Sequence, residues 1–195
     1  MTVERLENGV IVQRNTNEIE ISITLNTVHG KLEGSTGVNF FDHLLNTFCH
    51  YSGLGLRVST CESKDGILHH LIEDFGISLG LAFRELFDYT KVRRFGEATV
   101  PMNEALVGCY VDLSGRPFFQ KNFEFSVEKI EDMPVEGFEE FMCGFVNHAR
   151  ITVHFFKFFG KNDHHISESA MKSFGLAIAK ALESSEKKTT KGVID

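Results

Sequence analysis

Apolar and polar positions alternate strictly over residues 18–27. Ile19, Ile21, Ile23 and Leu25 take one face, and Glu18, Glu20, Ser22 and Thr24 the other. A period of two marks a strand buried on one side. Strands are also predicted over residues 3–14, 105–113, 119–127 and 151–158. Helical spacing takes over at 40–51 and 138–150, each followed by a strand-like segment, and in two longer amphipathic stretches near 69–89 and 164–184. Strands and helices mixed without strict alternation predict an α+β fold, with helices packed on one face of a sheet.

The sequence also matches itself. A shift of 95 residues lays HHLIEDFGISLGLA (69–82) over HHISESAMKSFGLA (164–177). His69/His164, His70/His165, Glu73/Glu168, Ser78/Ser173, Gly80/Gly175, Leu81/Leu176 and Ala82/Ala177 are identical pairs. So dense a gapless match points to internal duplication. It predicts one domain spanning 1–195 with halves of about 1–90 and 91–195, divided in the charged stretch 89–94.

Composition narrows the class. A chain that is 42% hydrophobic and 24% charged is that of an ordinary globular protein, and 19 Phe without Trp give it an aromatic core. The net charge of -7 argues against nucleic acid as a partner, since phosphate backbones are bound by basic stripes. No run is apolar enough for a membrane span, and MTVERLENGV lacks a signal pattern. Cys49, Cys61, Cys109 and Cys143 are widely spaced, so reduced thiols of a cytoplasmic protein are expected.

The repeated H-H-x-x-E carries the chemistry. Residues four apart share a helix face, so His69 converges with Glu73 and His164 with Glu168. His70 and His165 point about 100° away, so each motif serves two separate centres. One copy alone reads as a surface hydrogen bond; two copies favour metal. Imidazole and carboxylate without thiolate suit Mn, Fe, Co or Zn and do not suit calcium. His43 and His154 are further candidates, although a lone histidine is usually a partly buried residue with a partner. His29, His50 and His148 are read as structural. Gly80 and Gly175 return to the metal-facing side of their helices. A matched pair of costly helical glycines suggests close approach of another backbone. Segments 93–96, 114–117 and 189–192 pair Arg or Lys with glycine or hydroxyl groups, which can bind phosphate, but taken individually each reads as solvated surface charge.

FFDHLLNTF (40–48), HHLIED (69–74), RRFG (93–96), PMNEAL (101–106), DLSGRPFF (112–119), ITVH (151–154), KNDHHISES (161–169) and TTKG (189–192) occur in order along the chain. Together they resemble the imidazoleglycerol-phosphate dehydratase family of histidine biosynthesis. The resemblance implies two duplicated α+β half-domains, each a sheet covered on one side by helices. It implies a cytoplasmic, monofunctional hydro-lyase that converts imidazoleglycerol phosphate to imidazoleacetol phosphate and water. In that reaction an imidazolate expels the C3 hydroxyl, and loss of the C2 proton gives an enol that becomes the ketone. Two Mn²⁺ per site are implied, with ligands His43, His69, His70, Glu73, His154, His164, His165 and Glu168. Glu18 would be the acid–base residue beside Glu168, and Arg94, Arg116, Thr189 and Lys191 would hold the phosphate, with Glu18 also touching substrate. Sites formed between subunits of a 24-subunit particle built from trimers complete the implication. Leu68 stands where the family usually has an acid able to orient an imidazole, and Asn103 stands where an acid is commoner. A dinuclear hydrolase would want more Asp around the histidines, and a four-helix storage cage would have fewer strands.

Overall fold

A computed structural model describes residues 1–185. The chain begins with β1 (Thr2–Leu6), β2 (Gly9–Asn15), β3 (Ile19–Asn26) and the short β4 (Leu32–Glu33), then α1 (Asn39–Ser52), β5 (Gly55–Ser63) and α2 (Leu68–Leu86). There follow β6 (Phe95–Met102), β7 (Ala105–Asp112), β8 (Phe118–Lys121), β9 (Lys129–Ile130) and β10 (Met133–Pro134). The last elements are α3 (Glu136–Ala149), β11 (Thr152–Phe159) and α4 (Asp163–Ala181). One sheet has the order β1-β2-β3-β5-β4 and another β6-β7-β11-β8, while β9 and β10 form a two-stranded ribbon. Each of the two larger sheets mixes antiparallel pairs with one parallel pair, β4 with β5 and β8 with β11. Among the described residues no helix is long and apolar enough to cross a membrane.

Each sheet buries one face under helices. On β3 every second residue is fully buried, as the alternation requires, and α2 packs across β2 and β3. Helix α4 covers β6 and β7 in the same way. The remaining helix contacts cross between the halves: α1 lies on α4, and α2 on α3. At their centre Phe48, Phe83, Phe145 and Phe174 interlock, with ring centroids 5.1 Å apart for Phe48–Phe174 and 5.5 Å for Phe83–Phe145. Phe41 meets both Phe75 and Phe141 edge-on, which ties the first halves of α1, α2 and α3 together.

Glycine sets the helix spacing. A Cβ on Gly80 would stand 2.3 Å from the Phe145 carbonyl oxygen, and one on Gly175 would stand 2.8 Å from the Tyr51 Cβ. Both are the close backbone approaches expected for the matched pair. Gly76 meets the Phe141 carbonyl as Gly80 meets that of Phe145, four residues further on in both helices, so α2 and α3 run side by side in the same direction.

The expected elements are present; the two-residue strands β4, β9 and β10 are additions, and three longer strands differ from expectation. The segment expected as one strand over 3–14 is a hairpin, because Glu7 and Asn8 reverse the chain between Leu6 and Gly9. The strand expected over 119–127 stops at Lys121. Beyond it, the buried Asp163 carboxylate accepts from the Ser126 and Val127 N–H groups and holds that segment as a loop. Strand β6, which the sequence pattern does not predict, is an edge strand, where Pro101 costs no ladder hydrogen bond.

Gly80→Ala should destabilise the protein by roughly 1–3 kcal/mol, because the methyl meets backbone that cannot yield, even though alanine is the better helix former. Urea unfolding checks it: a midpoint equal to or above that of the wild type would show that this contact does not limit packing.

Candidate metal centres

The helix N-termini carry the chemistry, and those of α1 and α4 are capped by side chains. Asp132, between β9 and β10, accepts from the Asn39 and Phe40 backbone N–H groups at 2.7 and 2.8 Å and from Asn39 Nδ2 at 2.8 Å. That caps α1, whose own N-cap residue, Val38, has no side-chain acceptor. Burial alone would raise the Asp132 carboxyl, but the donated N–H groups hold it below the ordinary aspartate range. Helix α4 is capped by Asn162, whose side-chain oxygen accepts from the His164 and His165 N–H groups.

Helices α1 and α4 come together at His43, His164 and Glu168. Glu168 Oε2 lies 3.7 Å from His43 Nε2 and 3.6 Å from His164 Nε2. Glu168 is only 9% exposed. Burial would raise its carboxyl, but the Lys172 ammonium at 2.8 Å, with His43 and His164, keeps it low and charged. Phe40 packs on His164 at 4.8 Å, and a cavity of about 590 Å³ opens over the group, bordered also by Asn39, Glu131 and Asp132.

Two further groups surround the N-terminus of α2. His69, Glu73 and Glu140 each place a donor atom within 4.8 Å of the others, and so do Glu18, Asp65 and His70. Neighbouring imidazoles face different groups, His69 that of Glu73 and Glu140 and His70 that of Glu18 and Asp65, and their rings meet edge-on at 80°, as those of His164 and His165 do at 82°. Asp65 holds His70 Nδ1 at 2.7 Å and raises its pKa, aided by the charge of Glu18 and Glu73 against the opposing effect of desolvation. His165 Nδ1 faces Glu104 Oε2 at 2.7 Å. The Asn162 N–H first, then His165, draws the Glu104 carboxyl down to about 2.

The other candidates lie apart. His154 sits on the outer face of the second sheet, stacked against Phe118 at 5.4 Å and paired in register with Tyr110 and Gln120. Arg94, at φ 78°, grips Asp112 with Nε at 2.6 Å and Nη2 at 3.0 Å. Its N–H donates to the Ala181 carbonyl, at the far end of α4 from His164. Arg116 follows β7, where its carbonyl accepts from the Thr152 hydroxyl. Thr189 and Lys191 lie outside the described residues. Cys49 and Cys61 are free thiols pushed up to about 12 by burial, and neither joins these imidazole–carboxylate groups.

Sequence reasoning misses several residues of these groups. Lys172 carries a findable signal, being four residues beyond Glu168 on the same helix face. Asp65 reaches His70 locally, from the loop just before α2, whereas Glu131, Asp132 and Glu140 reach their partners only through tertiary packing. The orienting acid that Leu68 cannot supply comes for His70 from Asp65, a departure from the expectation of a missing orienter.

An α+β fold holding several imidazole–carboxylate groups at its helix ends defines a class of enzyme with metal-binding potential. Comparison with known proteins is more specific. Residues 36–178 match the imidazoleglycerol-phosphate dehydratase family. The imidazoleglycerol-phosphate dehydratase of Thermotoga petrophila is 98% identical over 195 residues, covering all of both chains. That of Phenylobacterium zucineum is 40% identical over 190 residues, 94% of this chain and 97% of the other. Crystal structures of the Staphylococcus aureus and Pyrococcus furiosus enzymes superpose with TM-scores of 0.80 and 0.81, at 34% and 37% identity. They cover 90% and 93% of this chain and 99% of each of theirs. The chain belongs to the imidazoleglycerol-phosphate dehydratase family, whose members are hydro-lyases.

Asp132→Ala should cost about 1 kcal/mol at neutral pH, the usual loss of a helix cap. Because the folded-state pKa of Asp132 is depressed, its stabilisation is present above the unfolded value of about 3.9 and is lost as pH falls through the folded value. Urea unfolding of both proteins at pH 7 and pH 2 should show a gap that closes in acid. A constant gap would remove the carboxylate from the explanation.

Proposed function

We propose that this chain dehydrates imidazoleglycerol phosphate to imidazoleacetol phosphate and water in L-histidine biosynthesis, in the cytoplasm, as a monofunctional enzyme with two Mn²⁺ per active site. Family membership over nearly the whole chain carries the reading. The donor set agrees with it: imidazoles and carboxylates grouped without a thiolate suit a first-row divalent ion. His43, His164 and Glu168 would hold one ion and His69 with Glu73 another, while His70, His165 and His154 supply further nitrogens. A bound ion supplies Lewis acidity toward the imidazole ring of the substrate. Glu18, exposed beside His70, would take the C2 proton. Glu168, kept charged by Lys172, is placed to hold a polar group of the substrate beside His43. Arg94, Arg116, Thr189 and Lys191 would bind the phosphate.

The positions of these residues favour assembly. Arg94, bonded to Ala181, and His164 lie at opposite ends of α4, about 26 Å apart at 1.5 Å per residue, too far for one small phosphate ester. His154 lies on a face where Phe118 is 51% exposed and Phe156 47%. A homo-oligomer, read as 24 subunits built from trimers, would cover that face and bring the phosphate residues of one copy to the donors of another. No part of this reading calls for nucleic acid or membrane. The whole chain is read as one domain of two halves.

Metal-stripped protein should give no ketone from imidazoleglycerol phosphate, and added Mn²⁺ should restore turnover. His69→Ala should lower kcat at least about 10²-fold. Release of inorganic phosphate in place of ketone would favour a hydrolase and end this reading.

A further inference from the structure

Both second histidines of the H-H-x-x-E pairs are gripped in the same manner by carboxylates with no sequence relationship to each other. Asp65 Oδ2 lies 2.7 Å from His70 Nδ1, and Glu104 Oε2 lies 2.7 Å from His165 Nδ1. Under the 95-residue shift Asp65 falls on Gly160 and Glu104 on Gly9, so neither contact descends from the repeat. One carboxylate comes from the loop before α2 and the other from the turn between β6 and β7. The same contact has been built twice from different parts of the chain. Looser versions face the first histidines, with Glu131 3.4 Å from His164 Nδ1 and Glu136 3.9 Å from His69 Nδ1.

We propose that Asp65 and Glu104 are positioning residues that keep the imidazole proton on Nδ1 of His70 and His165, leaving the Nε2 lone pair as the metal-donor atom. The proposal rests on the reading of these histidines as ligands. A neutral imidazole has one donor and one acceptor nitrogen, and an ionised carboxylate only accepts. Nδ1 therefore donates, and Nε2 presents its lone pair. For His165 the far side agrees: the Asn103 Nδ2 amide, a donor, stands 3.2 Å from Nε2. Each carboxylate is itself anchored through its other oxygen. Asp65 Oδ1 accepts from the Ile67 N–H at 2.9 Å and the Ser63 hydroxyl at 3.0 Å. Glu104 Oε1 accepts from the Asn162 N–H at 3.0 Å and the Lys161 N–H at 3.4 Å.

This division of labour between the two oxygens makes a sharp test. Asp65→Asn and Glu104→Gln keep the anchoring oxygen but offer the histidine an NH₂ group that can only donate. The imidazole proton is then driven to Nε2 and blocks the ligand atom. Mn²⁺ affinity is read on the full-length protein from the electron paramagnetic resonance signal of free Mn²⁺, with thermal unfolding of the metal-free protein measured alongside. Each isosteric variant should weaken Mn²⁺ binding by about 10–100-fold. The loss should match that of Asp65→Ala or Glu104→Ala, and metal-free unfolding temperatures should equal that of the wild type. Isosteric variants that bind as the wild type does, with only the alanine variants weakened, would reduce the carboxylates to space-filling and overturn the proposal. A drop in metal-free stability of the isosteric variants would assign the two carboxylates to fold maintenance and overturn it equally. A wild-type protein that binds no divalent ion would instead overturn the metal-centre reading itself, and this assignment with it.

Discussion

The close approach of helices across the two halves is the constraint on which the rest of the molecule depends. Helix α2 meets α3 through Gly76, Gly80 and Gly144, and α1 meets α4 through Gly175, at separations that leave no room for a Cβ. Neither half can finish its own helical layer, so the phenylalanines from both halves close into a single core. The fixed spacing places the first turns of α1 and α4 side by side and those of α2 and α3 likewise. Without it His43 would not reach Glu168, nor His69 approach Glu140.

The side chains at those first turns follow from the geometry of helix ends. Unpaired N–H groups and the positive end of the dipole favour carboxylates, and Asp132 meets that demand for α1. The same acid-rich surroundings orient imidazoles, while Lys172 keeps Glu168 charged. Stability and site are therefore built from the same residues. Asp132 both ends α1 correctly and borders the cavity over His43 and His164.

Much of this is legible in the sequence because helical and strand periods are local. The alternation at 18–27 and the H-H-x-x-E spacing each translate directly into a face of an element. The divergence of His69 from His70 follows from the helical period alone. What stays hidden depends on long-range partners. Asp132 acts on residues 92 and 93 positions earlier, and Glu104 on a histidine 61 positions later. No period or spacing announces such pairs. Asp65 stands only five residues before His70, in a loop without a repeating pattern, while Asp132 is brought to its place by packing alone. Strand β6 leaves little trace because an edge strand needs only half a pattern: with Pro101 and Glu97 in it, the segment reads as irregular.

The crossed helix contacts bear on how the chain is joined. In both, the first helix of one half rests on the second helix of the other, so the halves meet as two subunits of a twofold dimer would. The peptide link between Leu86 and Phe95 then acts as a tether, holding at high local concentration two pieces whose affinity resides in the buried helix faces. Cutting it would cost effective concentration and leave the contacts themselves intact. The order of the halves along the chain is, in this sense, a matter of covalent convenience.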